Sequence, residues 1–212
     1  MPLEADRLAI ELAGGCIAAI QQYAQMAGKL RAPEGFIRDL CAVHVHQRTG
    51  QRIITEHRRR DLTALFGISD DALDEFNNFR TDLMIFGSEH SVEQPSCEAA
   101  VELKLWTDPR KLKEDLRRVR GVARAIADAT GTPTPKAFVI ACPQYGPGAR
   151  VTADTAVSDL SKFFTFACTE KYTHPEENTD GQWTSAVIVL NADTCNVQDN
   201  AVSSRDGEFK AE

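Results

Sequence analysis

Apolar side chains recur along the N-terminal segment at Leu8, Leu12, Ile17, Ile20, Tyr23, Ala27 and Leu30. That spacing is close to the helical repeat and predicts a helix over Leu3–Leu30, with a kink expected where Gly14 and Gly15 interrupt it. Pro33 and Glu34 have the character of a first helical turn, so a second helix is expected to about Gln47, closed by Thr49 and Gly50. The period then changes. In "QRIITEHRR" the β-branched cluster Ile53, Ile54, Thr55 suits a strand. "GISDDALDEFNNF", Gly67 to Phe79, reads as a capped short helix or structured loop. "FRTDLMIFG" is a second strand ending at Gly87, and the polar "SEHSVEQPS" connects it to a third, "CEAAVELKLW".

The clearest helix runs from Asp108-Pro109 to about Ala129, with Leu112, Leu116, Val119, Ala123 and Ile126 as its apolar stripe. "GTPTP" stops it, and "KAFVIACP" is a short buried strand. "QYGPGAR" reads as a turn from which Tyr145 or Arg150 could touch a substrate. A helix from about Asp154 to Cys168, a strand "WTSAVIVLN" and a polar tail after Asn191 complete the pattern. The order α, α, β, β, β, α, β, α, β predicts a mixed α/β domain with helices on both faces of a central sheet.

Composition narrows the function classes. At 212 residues, 42% hydrophobic and 26% charged, the chain is expected to form one soluble domain, with at most a helical addition. No apolar run reaches membrane-spanning length, and no signal-peptide layout opens the sequence, so a cytoplasmic protein that does not bind membranes is expected. A net charge of −7 excludes a protein that coats nucleic acid by bulk charge, but leaves room for a local basic patch. The six cysteines contain no CxxC pair, which argues against a zinc site and a disulfide framework and for small core residues. His44 and His46, two apart on a helix, do not share a face and are not read as metal ligands.

The chemistry lies in the third strand. Residues two apart in a strand share a face. Ala99, Val101, Leu103 and Leu105 form a clean core face, while Ala100, Glu102, Lys104 and Trp106 share the other. In the strand before, Leu83 and Ile85 point one way and Arg80, Asp82, Met84 and Phe86 the other. Pairing the two strands through their hydrophobic faces brings Asp82 to the side of Glu102 and Lys104. Burying these charges is costly unless they pair with each other or hold an ion. A hard divalent cation suits two carboxylates, and a neighbouring lysine suits a water or a phosphate.

"TDLMIF" followed by "AAVELKLW" resembles the PD-(D/E)XK nuclease superfamily, the restriction-endonuclease-like fold. Asp82 stands at its Asp, Glu102 and Lys104 at its (D/E)-x-K, and Thr81 at the variable Pro. The resemblance covers roughly the middle half of the chain and implies an αβββαβ core with a mixed central sheet flanked by helices. The N-terminal helix and a C-terminal αβ pair are then additions. The implied division is residues 1–31 as a helical extension, 32–191 as the nuclease-like domain and 192–212 as a polar tail. It also implies Mg²⁺, with Mn²⁺ as a substitute, held by Asp82, Glu102 and the carbonyl of Leu103. Lys104 would orient the attacking water. Glu34 is the candidate for a further acid on the first core helix, with Glu56 as the alternative.

A nuclease needs a surface for the phosphate backbone. Arg110, Lys113, Arg117, Arg120 and Arg124 follow helical spacing on one face, diluted by Glu114 and Asp115. Arg58 and Arg59 in "HRRRD", with Arg80, form a second cluster. The expected activity is Mg²⁺-dependent hydrolysis of nucleic acid, DNA first, leaving a 5′-phosphate. The same residues also suit an ion pair on a strand face. The alternative is therefore an inactive member of the fold that binds nucleic acid or serves assembly. The N-terminal helix either packs on the domain or forms a homodimer, and a larger partner could supply specificity.

Overall fold

A computed structural model describes residues 4–27, 31–69, 80–87, 96–174 and 182–195. In chain order the elements are α1 (Ala5–Ala27), α2 (Glu34–Thr49), β1 (Arg52–Arg58), α3 (Arg59–Phe66), β2 (Arg80–Phe86) and β3 (Cys97–Lys104). They continue with α4 (Pro109–Thr130), β4 (Lys136–Ala141), β5 (Gln144–Tyr145), α5 (Ala153–Leu160), β6 (Cys168–Thr173) and β7 (Thr184–Asn191).

The sheet is mixed. β1, β2 and β3 form an antiparallel meander, and α4 carries the chain across to β4, which is parallel to β3. β7 runs antiparallel to β4 on one edge and to β6 on the other, with β5 extending the β4 side. Alternation sorts the core as the sequence pattern requires. Leu83, Ile85, Ala99, Val101, Leu103, Phe138 and Ile140 pack under α1 and α2. Ala100, Ala137, Val139 and Ile188 pack under α4 and α5, and Met84 and Phe86 under α3 and α4.

α1 runs through Gly14 and Gly15 without interruption. Gly15 serves close approach: a Cβ there would meet the Cα and Sγ of Cys41 on α2 at 3.1 Å. The buried face of α1 is thereby spent on α2 and the sheet. All six cysteines are free thiols, and Cys16, Cys41 and Cys142 lie in this same core. α4 begins where expected, with Asp108 accepting the Arg110 N–H at 2.9 Å and Pro109 in the first turn. Gly131, with φ 66°, closes it.

One element is added and two further local expectations are corrected. "RRDLTALF" is a helix, α3, because Asp61 accepts the Arg58 N–H at 3.0 Å and Leu62 and Phe66 bury one face. The helix expected to reach Cys168 stops at Leu160. A turn with Phe163 and Phe164 docked on the core follows, and Cys168–Thr173 is a strand on the open edge of β7. Within "QYGPGAR", Gln144 and Tyr145 pair with β7 instead of turning freely. All of "SEHSVEQPS" but Ser96, most of "GISDDALDEFNNF" and most of the polar tail lie outside the described residues. Among the described residues no helix is long and apolar enough to cross a membrane.

Candidate active site

The β2–β3 ladder is paired as far as Leu83 and Val101. One step further the register sets Asp82 across from Glu102, and the strands are joined by a side chain instead. Oδ2 of Asp82 accepts the Leu103 N–H at 2.8 Å. Two residues on, Lys104 Nζ donates to Oε1 of Glu102 at 2.5 Å. Asp82 is 1% exposed, Glu102 5% and Lys104 9%, so the three groups named from the alternation are buried together at one end of the sheet. Oε2 of Glu102 is buried with no hydrogen-bond partner. An orphaned carboxylate oxygen among charges is expensive in a folded chain and marks a place where a ligand would be accommodated.

The electrostatics carry the same message. Burial and then the nearby Asp82 charge push the Glu102 carboxyl up to about 7, although Lys104 opposes the shift. Burial also raises Asp82, against the Leu103 N–H and the Lys104 charge. Two carboxylates that resist ionisation side by side are what a bound cation relieves.

Glu34 is the first residue of α2. Its carboxyl is raised by burial and then by the charge of Asp82, so the two carboxyls are electrostatically coupled. Glu56 does not join them as a free acid. It bonds to Arg38 and, at 3.3 Å, to Arg80, whose other nitrogen stands 4.0 Å from Asp82. Glu56 also has φ 59° inside β1, and it is skipped in the ladder directly across from Asp82. Between the two acids first considered, Glu34 is the one that belongs to the carboxylate group.

Four residues to which the sequence reading gave no role in the site shape this place. Asp115 is 2% exposed and lies on the buried face of α4, so it does not dilute the basic face. It pairs with Arg118, whose charge counters the rise of the Glu102 pKa. The signal was an acid sitting in register between Leu112 and Val119. Trp106 lies with its ring centroid 5.3 Å from Lys104 Nζ. Gln144 is a clamp: it accepts the Ala32 N–H at 2.8 Å and donates to the Ala32 carbonyl at 3.0 Å, two residues before Glu34. Gln144→Leu strands both backbone groups and is expected to cost about 2 kcal/mol. Thermal unfolding checks this, and an unchanged Tm would show that the clamp does not hold the start of α2.

Arg110, Lys113, Arg117, Arg120 and Arg124 are exposed along one face of α4, beside its apolar stripe. The row starts close behind Trp106 and spans about 21 Å at the helical rise. Arg120 is engaged by Asp193 at 3.6 Å. Arg58 is exposed at the end of β1, whereas Arg59 is half-buried in α3. Among the described residues no three His, Cys, Asp or Glu side chains form a ready cage for a metal ion. In comparisons with family models, with curated proteins and with solved structures, the chain matches none of them.

Proposed function

We propose that the chain is a divalent-metal-dependent nuclease of the PD-(D/E)XK type, hydrolysing phosphodiester bonds of nucleic acid, DNA first, in the cytoplasm. The observation that carries this reading is the buried group Asp82, Glu102 and Lys104, with the partnerless Oε2 of Glu102 at its centre. The order α2, β1, β2, β3, α4, β4, an antiparallel meander followed by a parallel strand, supports it by agreeing with an αβββαβ core. The helix α3 is an insertion in that order.

Two carboxylates fit Mg²⁺ or Mn²⁺, since Mg²⁺ is commonly held by one or two carboxylates and keeps several waters. Asp82 and Glu102 would hold the ion, with the Leu103 carbonyl between them. When bound, it supplies positive charge at the scissile phosphate. The ammonium of Lys104 has three donors, of which Glu102 takes one. The others orient the attacking water and stabilise charge on the phosphate oxygens. Glu34 adds a third acid beside Asp82. Arg80, Arg110, Lys113 and Arg117 would receive phosphates on either side of the cut.

The tight Lys104–Glu102 contact favours a second reading, in which the fold binds nucleic acid without cleaving it. Purified wild type, Asp82→Asn and Lys104→Met, assayed on DNA and RNA with Mg²⁺ or EDTA, separate the two. The nuclease reading expects Mg²⁺-dependent cleavage that falls roughly 100- to 10,000-fold in each variant. Cleavage undiminished in both variants would refute the site.

A further inference from the structure

Trp106 is 42% exposed, and among the described residues it is the one aromatic side chain of that exposure. An indole of this size in the open is unusual beside a sheet that buries nearly all its other large apolar groups. Its position is specific. The ammonium of Lys104 is 5.3 Å from the ring centroid and 2.5 Å from Oε1 of Glu102, so one side chain links the ring to the buried carboxylates. Lys111, from the first turn of α4, brings a second ammonium to 5.6 Å of the same ring. Arg110 is exposed next to it, and the basic row of α4 leads away from this point.

Both ammoniums lie over the ring, and an aromatic face accompanied by cations is a recurring means of holding an unpaired base whose phosphates take up those cations. Bases inside a duplex are already stacked on their neighbours and have no free face to offer. Unpaired bases in single strands, loops and ends do.

We infer that Trp106 is a stacking platform for an unpaired nucleobase adjacent to the phosphate at the Asp82–Glu102–Lys104 site. The inference rests on the nuclease reading and extends it to substrate form. The protein takes single-stranded nucleic acid, or the frayed end of a duplex, in preference to continuous duplex. Lys104 and Lys111 hold the phosphates beside that base, and the α4 row holds those that follow.

The chain has two tryptophans, which makes the test direct. Trp183→Phe leaves Trp106 as the sole indole reporter. Its emission is followed during titration with a single-stranded oligonucleotide and with a blunt duplex of the same sequence, in Ca²⁺ or EDTA to prevent cleavage. Single strand is expected to quench Trp106 strongly and duplex weakly. Trp106→Leu, which keeps apolar bulk without a stacking face, is expected to weaken single-strand binding roughly ten- to hundred-fold. Duplex binding should change less than about two-fold, and circular dichroism confirms that the variant is folded. Equal losses on both substrates, or tight single-strand binding with unchanged Trp106 emission, overturn the platform and leave the nuclease reading standing. Failure of the wild type to bind any nucleic acid overturns both.

Discussion

Glu102→Gln is expected to make the protein more stable at pH 8 and to cut the proposed Mg²⁺-dependent cleavage sharply. Both outcomes come from the same atoms. The Glu102 carboxyl is pushed up to about 7, first by burial and then by Asp82, so its ionised form is disfavoured in the fold. A glutamine has the shape of the protonated acid, and its oxygen can still accept from Lys104. Removing the ionisation cost returns on the order of 3 kcal/mol. For a chain of this size each kcal/mol moves Tm by about 2–4 °C, so a rise of several degrees is expected. Cleavage should fall roughly 1,000-fold, because a neutral amide no longer competes with water for a divalent ion. A structural ion pair gives the opposite sign: if Lys104 and Glu102 only brace the strand, Glu102→Gln lowers Tm. Denaturation and cleavage of one purified sample decide between these outcomes.

The metal-free protein should lose stability as pH rises from 5 to 8, and Mg²⁺ should restore it only at the upper end. Glu102, Asp82 and Glu34 all have carboxyls raised by burial. A raised acid binds its proton more tightly folded than unfolded. Its contribution is therefore full below the unfolded pKa and is lost as pH climbs through the folded one. For Glu102 that window runs from the ordinary glutamate range to about 7. His57 acts the other way at the acid end, because burial lowers its pKa and folding disfavours its charged form. The optimum of the metal-free chain should consequently fall on the mildly acid side.

A cation that binds only the folded, ionised site adds RT ln(1 + [L]/Kd), about 2.7 kcal/mol at a hundred-fold excess over Kd. At pH 8 the expected gain in Tm is several degrees. At pH 5 the gain should shrink, since protons then occupy the same oxygens. Differential scanning calorimetry with MgCl₂ or EDTA at the two pH values reads this directly. An equal Mg²⁺ shift in Glu102→Gln, or none in the wild type at pH 8, would remove Glu102 as a ligand.

The site was legible where a single rule governed it. Alternation in β2 and β3 placed Asp82, Glu102 and Lys104 on one face because apolar neighbours on both sides left no other phase. The stripe of α4 was equally plain. Elements defined by contact partners were harder to read. Arg58, Arg59 and Arg60 disguised α3, whose helix rests on two buried residues, Leu62 and Phe66. β6 shows no alternation of its own, since nearly every side chain is exposed or half-buried and its place is set by β7. Asp115 was read as a surface charge because it is an acid, although its register three residues after Leu112 places it on the buried face. Gln144 could not be tied to Ala32 from sequence at all, as 112 positions separate them. The resemblance to the nuclease superfamily rested on residue phase, and the described topology agrees with it without establishing membership.

The placement of β7 bears on when such an activity could arise. This strand lies between β4 and β6, and α1 rests on β6 and β7 as well as on α2. During synthesis the ribosome releases β1 to β4 and α4 before it releases β7. Until then β4 has an open edge, and α1 lacks part of the surface it packs on. Glu34 stands on α2, and Gln144, which fixes the start of α2, is itself paired to β7. A growing chain could thus pair β2 with β3 and carry Asp82, Glu102 and Lys104, yet lack the strand that secures Gln144 and, through it, the start of α2. On the nuclease reading, the last element to arrive is the one that completes the support around the acids.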